Sequence, residues 1–354
     1  MGLANKLAAP QIKELVAYQS ARRIGGVGNN YLNANESPYP AYQMPEKESW
    51  QRYPDFLPGD LTTKYGLYSG ISGEYVLTTR GADEGIDLLI RAFCEPNKDS
   101  IAINTPTYAM YDFIAEAHQV AITRVSLTAE QFALDVAAYD ALAEQPKIVF
   151  LCHPNNPTGN LLTRKDVLVL AEKYADEAFV VVDEAYIEFS PNDSFAAEIA
   201  ATPNLIVLRT LSKAFSLAAV RIGFVLANPD VIELLAKLIA PYPIPDPCAR
   251  IALNALSDMG VSYMEAQRDR ILSNKKEVEK KLKLLSCVEH VHSSATNFLL
   301  VKFEDSAKTF SYLVENGIIL RDQAKQPGLE NHLRITIGDD TDMQQMLDCL
   351  ALMK

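Results

Sequence analysis

The amino-acid sequence predicts an α/β protein: a large domain on a mainly parallel central sheet sandwiched by helices, joined to a smaller α+β domain. Three observations carry that expectation. From about Ser49 to Asn228, helical patterns alternate with short β-rich runs, as when crossover helices join parallel strands. The stretch Pro241-Tyr-Pro-Ile-Pro-Asp-Pro247 is too dense in proline to continue a helix, and the character of the chain changes beyond it. A chain of 354 residues also exceeds what one hydrophobic core usually serves, so two domains with a cleft between them are expected.

In chain order, residues 1–48 are expected to form an arm and part of the small domain, residues 49–244 the large domain and residues 245–354 the small one. A helix is predicted over Ala82 to Phe93, where Ile86, Leu89, Ile90 and Phe93 recur at helical spacing, and another over Thr163 to Ala175. Lys147 to Cys152, Phe179 to Val182 and Leu205 to Leu208 are short, continuously apolar runs that read as buried strands. Beyond the prolines a charged amphipathic helix over about Tyr263 to Leu285 precedes a strand at Asn297 to Phe303. A helix, strands near Ile318 and Leu333, and a terminal helix follow. Ligands in open α/β sheets collect at the carboxyl ends of the strands, which directs attention to the loops that follow them.

Composition narrows the function. With 48% hydrophobic and 22% charged residues and a mean hydropathy of −0.03, the chain is that of an ordinary globular protein. A formal net charge of −12 argues against nucleic acid as a partner, since neutralising phosphates needs a basic face. No run of about 18 apolar residues suggests a membrane span, and Met1 to Pro10 lacks the basic-then-apolar pattern of a leader, so cytoplasmic residence is expected. Cys94, Cys152, Cys248, Cys287 and Cys349 stand singly and read as reduced thiols, mostly in apolar surroundings. Only His290 and His292 are close in sequence among the five histidines, and no metal site is expected. Gly25-Gly26-Val27-Gly28 lacks the strand and spacing of a dinucleotide fingerprint.

The chemistry concentrates after the strands. Thr210-Leu-Ser-Lys213-Ala-Phe follows Leu205 to Leu208, and a lysine there is placed for the desolvation that frees its amine as a nucleophile toward an aldehyde. The hydroxyls of Thr210 and Ser212 and the guanidinium of Arg221 suit a phosphate beside it. In isolation the same lysine is more often a surface residue. Asp183 ends an apolar strand, where a carboxylate needs a cationic partner such as a pyridinium nitrogen; the competing reading is a strand-end acid that caps a helix. Tyr186, three residues on, is in reach of the same ring. His153-Pro-Asn-Asn156-Pro-Thr-Gly159 makes a stiff loop that can aim the Asn156 amide, or is simply a turn. Arg80-Gly-Ala-Asp-Glu84 opens a helix whose free N–H groups suit a phosphate, although Asp83 and Glu84 are also ordinary first-turn acids. Tyr108 in Thr105-Pro-Thr-Tyr108 is placed to stack on a ring or to fill the core.

Taken in order, RGADE, TPTY, HPNNPTG, DEAYIEF, TLSKAF and Leu333-Arg-Ile-Thr-Ile-Gly338, with YQSARR from Tyr18 and LNANESPYP from Leu32, resemble the class-II, fold-type I pyridoxal-phosphate-dependent aminotransferases over nearly the whole chain. That resemblance implies pyridoxal 5′-phosphate as cofactor, with Lys213 as the Schiff-base lysine, Asp183 at the pyridine nitrogen, Asn156 and Tyr186 at the phenolic oxygen and Tyr108 as the stacking ring. It further implies Ala82, Asp83, Thr210, Ser212 and Arg221 around the cofactor phosphate, and a homodimer in which Tyr53 of Arg52-Tyr-Pro54 reaches the phosphate of the neighbouring subunit. Ala218-Ala219-Val220 departs from the Ala-Gly-Leu often found before the phosphate arginine, and His153 replaces a more usual serine.

Arg334 sits on a short strand with a planar fork suited to a carboxylate or phosphate, and the resemblance makes it the substrate-anion clamp, with Arg321 and Tyr18 as further candidates. The implied activity, a step of histidine biosynthesis, exchanges an amino group between L-histidinol phosphate and 2-oxoglutarate. A phosphate-bearing amino-acid decarboxylase, an aromatic aminotransferase and an idle pyridoxal-binding regulator are the alternatives.

Overall fold

The computed structural model describes residues 2–13 and 50–353, so Tyr18 lies outside the described residues. Two short helices, α1 (Leu3–Leu7) and α2 (Pro10–Lys13), precede α3 (Gly59–Ser69), β1 (Val76–Thr79), α4 (Ala82–Phe93), β2 (Ser100–Thr105), α5 (Met110–Ala117), β3 (Ala121–Ser126) and β4 (Ile148–Cys152). The chain continues through α6 (Arg164–Lys173), β5 (Phe179–Asp183), β6 (Leu205–Thr210), β7 (Gly223–Leu226) and α7 (Pro229–Leu238). Seven strands form one sheet in the order β1-β7-β6-β5-β4-β2-β3. Strands β2 to β6 are mutually parallel, and β7 runs antiparallel between β6 and β1.

The apolar runs are strands because both faces of this sheet are covered. Val149 and Leu151 join the core on one face with Val180, Val182 and Val207. Their neighbours Ile148 and Phe150 join the core on the other with Val181, Ile206 and Leu208. A period of two along each strand therefore fills both layers. Helix α4 lies on the second face, burying Ile86, Leu89, Ile90 and Phe93 as their spacing predicts.

The remainder comprises α8 (Asp246–Ala255), α9 (Asp258–Leu282), β8 (Val288–Val291), β9 (Phe298–Phe303), α10 (Ser306–Glu315), β10 (Arg321–Asp322), β11 (His332–Thr336) and α11 (Asp340–Leu352). Its four strands form an antiparallel sheet in the order β10-β11-β9-β8. Strand β9 ties the two halves of the molecule together: Leu299, Val301 and Phe303 enter the small core, whereas Phe298 and Leu300 enter a core of the large sheet. Helix α9 starts earlier than the pattern suggests because the Ser257 hydroxyl accepts from the Gly260 N–H and caps it. The strand expected near Ile318 falls instead at Arg321–Asp322, since the Ile318 N–H closes the last turn of α10 on the Leu313 carbonyl beyond Gly317. No described helix is long and apolar enough to cross a membrane.

Candidate active site

The carboxyl ends of β4, β5 and β6 open on a cavity of about 130 Å³. Lys213, Asp183, Asn156, Tyr186, Tyr108, Ala82, Asp83, Thr210, Ser212 and Arg221, separated by up to 139 positions in the chain, all line it. At its floor Asp183, the last residue of β5, is 2% exposed. Burial pushes its carboxyl up to about 6, against the opposing pull of a hydrogen bond from Tyr111. Tyr111 Oη donates to Asp183 Oδ2 at 2.7 Å, and the Ala185 N–H donates to Oδ1 at 3.1 Å.

Lys213 follows β6 by three residues, with Nζ 5.5 Å from the centre of the Tyr186 ring. Desolvation, then the charge of Arg334, holds its ammonium below the ordinary lysine range, the direction that frees an amine. Tyr186 is buried, and desolvation raises its phenol well out of the range of ionisation.

A cluster of donors occupies one side. Thr210 Oγ donates to Ser212 Oγ at 2.9 Å, and Arg221 Nη1 reaches the same Ser212 hydroxyl at 3.5 Å and the Ala218 carbonyl at 2.9 Å. Opposite them α4 begins at Ala82 with no side chain capping its first N–H groups. Such a helix end, beside an arginine and two hydroxyls, suits an anion. Gly81 turns into the helix at φ +87°, and a Cβ there would stand 2.7 Å from Arg221 Nη2. Arg221 itself adopts a left-handed conformation at φ +59° directly after Ala218-Ala219-Val220, so the departure from Ala-Gly-Leu leaves the guanidinium directed at the cluster.

Tyr108 Oη donates to Asp83 Oδ1 at 3.0 Å, which fixes its ring over the cavity wall and edge-on to Tyr111. The loop carrying Asn156 is clamped by His153, buried and held to a pKa of about 4 by desolvation. The Leu162 N–H donates to Nδ1 of this neutral imidazole, and Nε2 lies 3.2 Å from the Asp193 carbonyl. His153 thus closes the loop onto Leu162 and ties it to the turn at Asp193.

From the small sheet Arg334 Nη1 donates to Asn156 Oδ1 at 2.5 Å, with its guanidinium carbon 5.3 Å from the Phe298 ring centre. Among the described residues its buried Nε has no hydrogen-bond partner. Arg321 is paired opposite Arg334 across β10 and β11, so two cations share this edge; Arg321 is exposed and outside the cavity. Tyr53 also lies outside, half-exposed and stacked on Tyr242 at 4.6 Å between ring centres. Among the described residues no group of three or more histidine, cysteine or acidic side chains is arranged to hold a metal. Sequence reasoning missed Tyr111, Cys152, Ala185 and Ala218; Cys152 is buried as expected, but on the cavity wall. Tyr111 lies in the first turn of α5, three residues after Tyr108, which precedes the helix, and nothing in the local sequence separates it from an ordinary core aromatic.

The model of the aminotransferase class I and II family matches residues 27–350. The chain is 46% identical to a histidinol-phosphate aminotransferase of Pectobacterium atrosepticum, covering 99% of this chain and 98% of that protein. It is 48% identical to the enzyme of the same name from Aeromonas salmonicida, with the same coverage. Among solved structures it resembles the histidinol-phosphate aminotransferase of Clostridium acetobutylicum, with a TM-score of 0.79 and 24% identity over 85% of this chain and 90% of that one. The L-threonine-O-3-phosphate decarboxylase of Porphyromonas gingivalis shares the fold at a TM-score of 0.73 and 23% identity, over 85% and 90% of the two chains.

Proposed function

The chain belongs to the aminotransferase class I and II family, and we propose that it transfers the amino group of L-histidinol phosphate to 2-oxoglutarate, reversibly, giving imidazole-acetol phosphate and L-glutamate. Its cofactor is pyridoxal 5′-phosphate. The donor set fits that group: a buried acid for a pyridine nitrogen, an amine of lowered basicity for an aldehyde, and an uncapped helix start with Arg221, Thr210 and Ser212 for a phosphate. When bound, the cofactor supplies an electron sink for the bond that breaks at the substrate's α-carbon.

In this reading Lys213 would hold the cofactor and, as a free amine, would move the proton held at the substrate's α-carbon. Its lowered basicity suits both tasks. Asp183 keeps the ring nitrogen protonated. Asn156 and Tyr186 serve the phenolic oxygen, Tyr108 packs against the ring, and the backbone of Ala82 and Asp83 joins Thr210, Ser212 and Arg221 at the phosphate. Arg334, released from Asn156, clamps the substrate phosphate in one half-reaction and a 2-oxoglutarate carboxylate in the other, with Arg321 adding positive charge. Tyr18 completes the substrate side, and Tyr53 reaches the phosphate of a neighbouring subunit in a cytoplasmic homodimer.

The observation that carries the reading is the convergence of Asp183, Lys213 and the phosphate donors on one cavity beside Arg334. A panel of amine donors at equal 2-oxoglutarate tests it. Histidinol phosphate should exceed phenylalanine, tyrosine and aspartate by roughly a hundredfold in kcat/KM, because unmatched donors leave the site's buried polar groups unpaired. Equal rates across the panel, or release of carbon dioxide without consumption of 2-oxoglutarate, would contradict it.

A further inference from the structure

We propose that Tyr111 is a positioning residue for the cofactor: its hydroxyl, donated to Asp183 Oδ2, keeps that carboxylate ionised and aimed into the cavity. The inference rests on the reading of Asp183 as the partner of the ring nitrogen. A carboxylate at the end of a central strand, 2% exposed, loses the water that would stabilise its charge. Two protein donors replace that water. The Ala185 N–H at Oδ1 belongs to the turn itself and would be supplied by almost any residue. Tyr111, in the first turn of α5 and 72 positions away in sequence, is the donor that a substitution removes.

Packing gives the hydroxyl little freedom. The Tyr111 ring is fully buried, stacked on Phe150 with centres 4.9 Å apart and planes at 11°, and edge-on to Tyr108 at 5.7 Å. Burial and the Asp183 charge hold its phenol well above the ordinary tyrosine value, so it remains a donor throughout the working range. The same contacts let one residue brace both the carboxylate proposed to partner the ring nitrogen and the tyrosine proposed to pack on the ring face. A phenylalanine at position 111 keeps the stack and deletes the hydroxyl, with its bond to Asp183 and its contact with the Cys152 thiol.

The test is titration of the full-length protein with pyridoxal 5′-phosphate from about pH 5 to about pH 8, a range spanning carboxyl and imidazole ionisation. In Tyr111→Phe the acid limb of cofactor affinity should move up by about one pH unit, tenfold in the protonation equilibrium. In an Asp183→Asn background the same replacement should be silent. Carboxyl carbon NMR of the cofactor-free full chain should show the Asp183 midpoint rising in Tyr111→Phe. An unmoved limb and midpoint, or an equal loss in the Asp183→Asn background, would reduce Tyr111 to a packing residue and overturn the proposal. If the wild-type chain takes up no cofactor while the NMR midpoint still moves, the assignment of Asp183 to a ring nitrogen fails and its coupling to Tyr111 stands.

Discussion

At the scale of single residues the site is held by groups kept in unfavourable states, and Asp183 is the clearest. Its carboxyl ionises at 3.8 when free in solution and at about 6 in the folded, cofactor-free protein. The folded state therefore holds the proton longer. The stability this contributes is complete below about pH 4 and lost as pH rises through about 6. At neutral pH the ionised carboxylate costs the cofactor-free protein on the order of 2–3 kcal/mol, from a shift of about two units. Asp183→Asn should accordingly raise the neutral-pH unfolding free energy of the cofactor-free chain in urea by that amount, while weakening its hold on pyridoxal 5′-phosphate. A variant less stable than the wild type at neutral pH would contradict the assignment of burial as the dominant cause. Asp183 was legible in the sequence because a charged residue ending an apolar strand asks for an explanation; Lys213, three residues beyond its strand, gained weight only from its companions. Tyr111 was not: an aromatic residue in an apolar helical pattern looks the same whether or not its hydroxyl finds a buried acid.

At the scale of elements, the phosphate side depends on how closely α4 approaches β7. A Cβ at Gly223 would stand 2.4 Å from the Gly81 carbonyl carbon and 2.6 Å from the Ala82 nitrogen, both backbone atoms that cannot swing aside. Gly223 thus sets the height of the α4 start above the sheet. Gly223→Ala should displace that helix end and raise the dissociation constant for pyridoxal 5′-phosphate roughly tenfold or more, the equivalent of ~1–3 kcal/mol of overpacking. Fluorescence titration of the variant would read it, and an unchanged constant would show that the helix start takes no part in holding the phosphate. The strands β4, β5 and β6 were legible as short continuous apolar runs, because a sheet covered on both faces leaves no polar alternation. Element ends were less so. Ser257 and Gly317 each act through a single hydrogen-bonded turn that moves the boundary by several residues.

At the scale of the whole molecule, the cleft is crossed by contacts that no local pattern encodes. Arg334 bonds Asn156 across 178 positions, and Gln326 Nε2 bonds the Thr107 carbonyl across 219, beside Tyr108. Arg334 from the small sheet and Gln326 from the β10–β11 connection each meet a loop that leads to the cavity, so this side of the cavity is assembled only when both halves of the chain are folded. Sequence therefore marked Arg334 as a candidate but could not indicate that it would rest against Asn156, the side chain proposed for the cofactor's phenolic oxygen. The central claim concerns one lysine in the entire chain, and covalent mapping tests it most directly. Full-length protein loaded with pyridoxal 5′-phosphate is reduced with borohydride, digested and analysed by mass spectrometry. A phosphopyridoxyl adduct is expected on Lys213 at close to one per chain, with its loss in Lys213→Ala. An adduct at a different lysine, or amino transfer at the wild-type rate in Lys213→Ala, would contradict it.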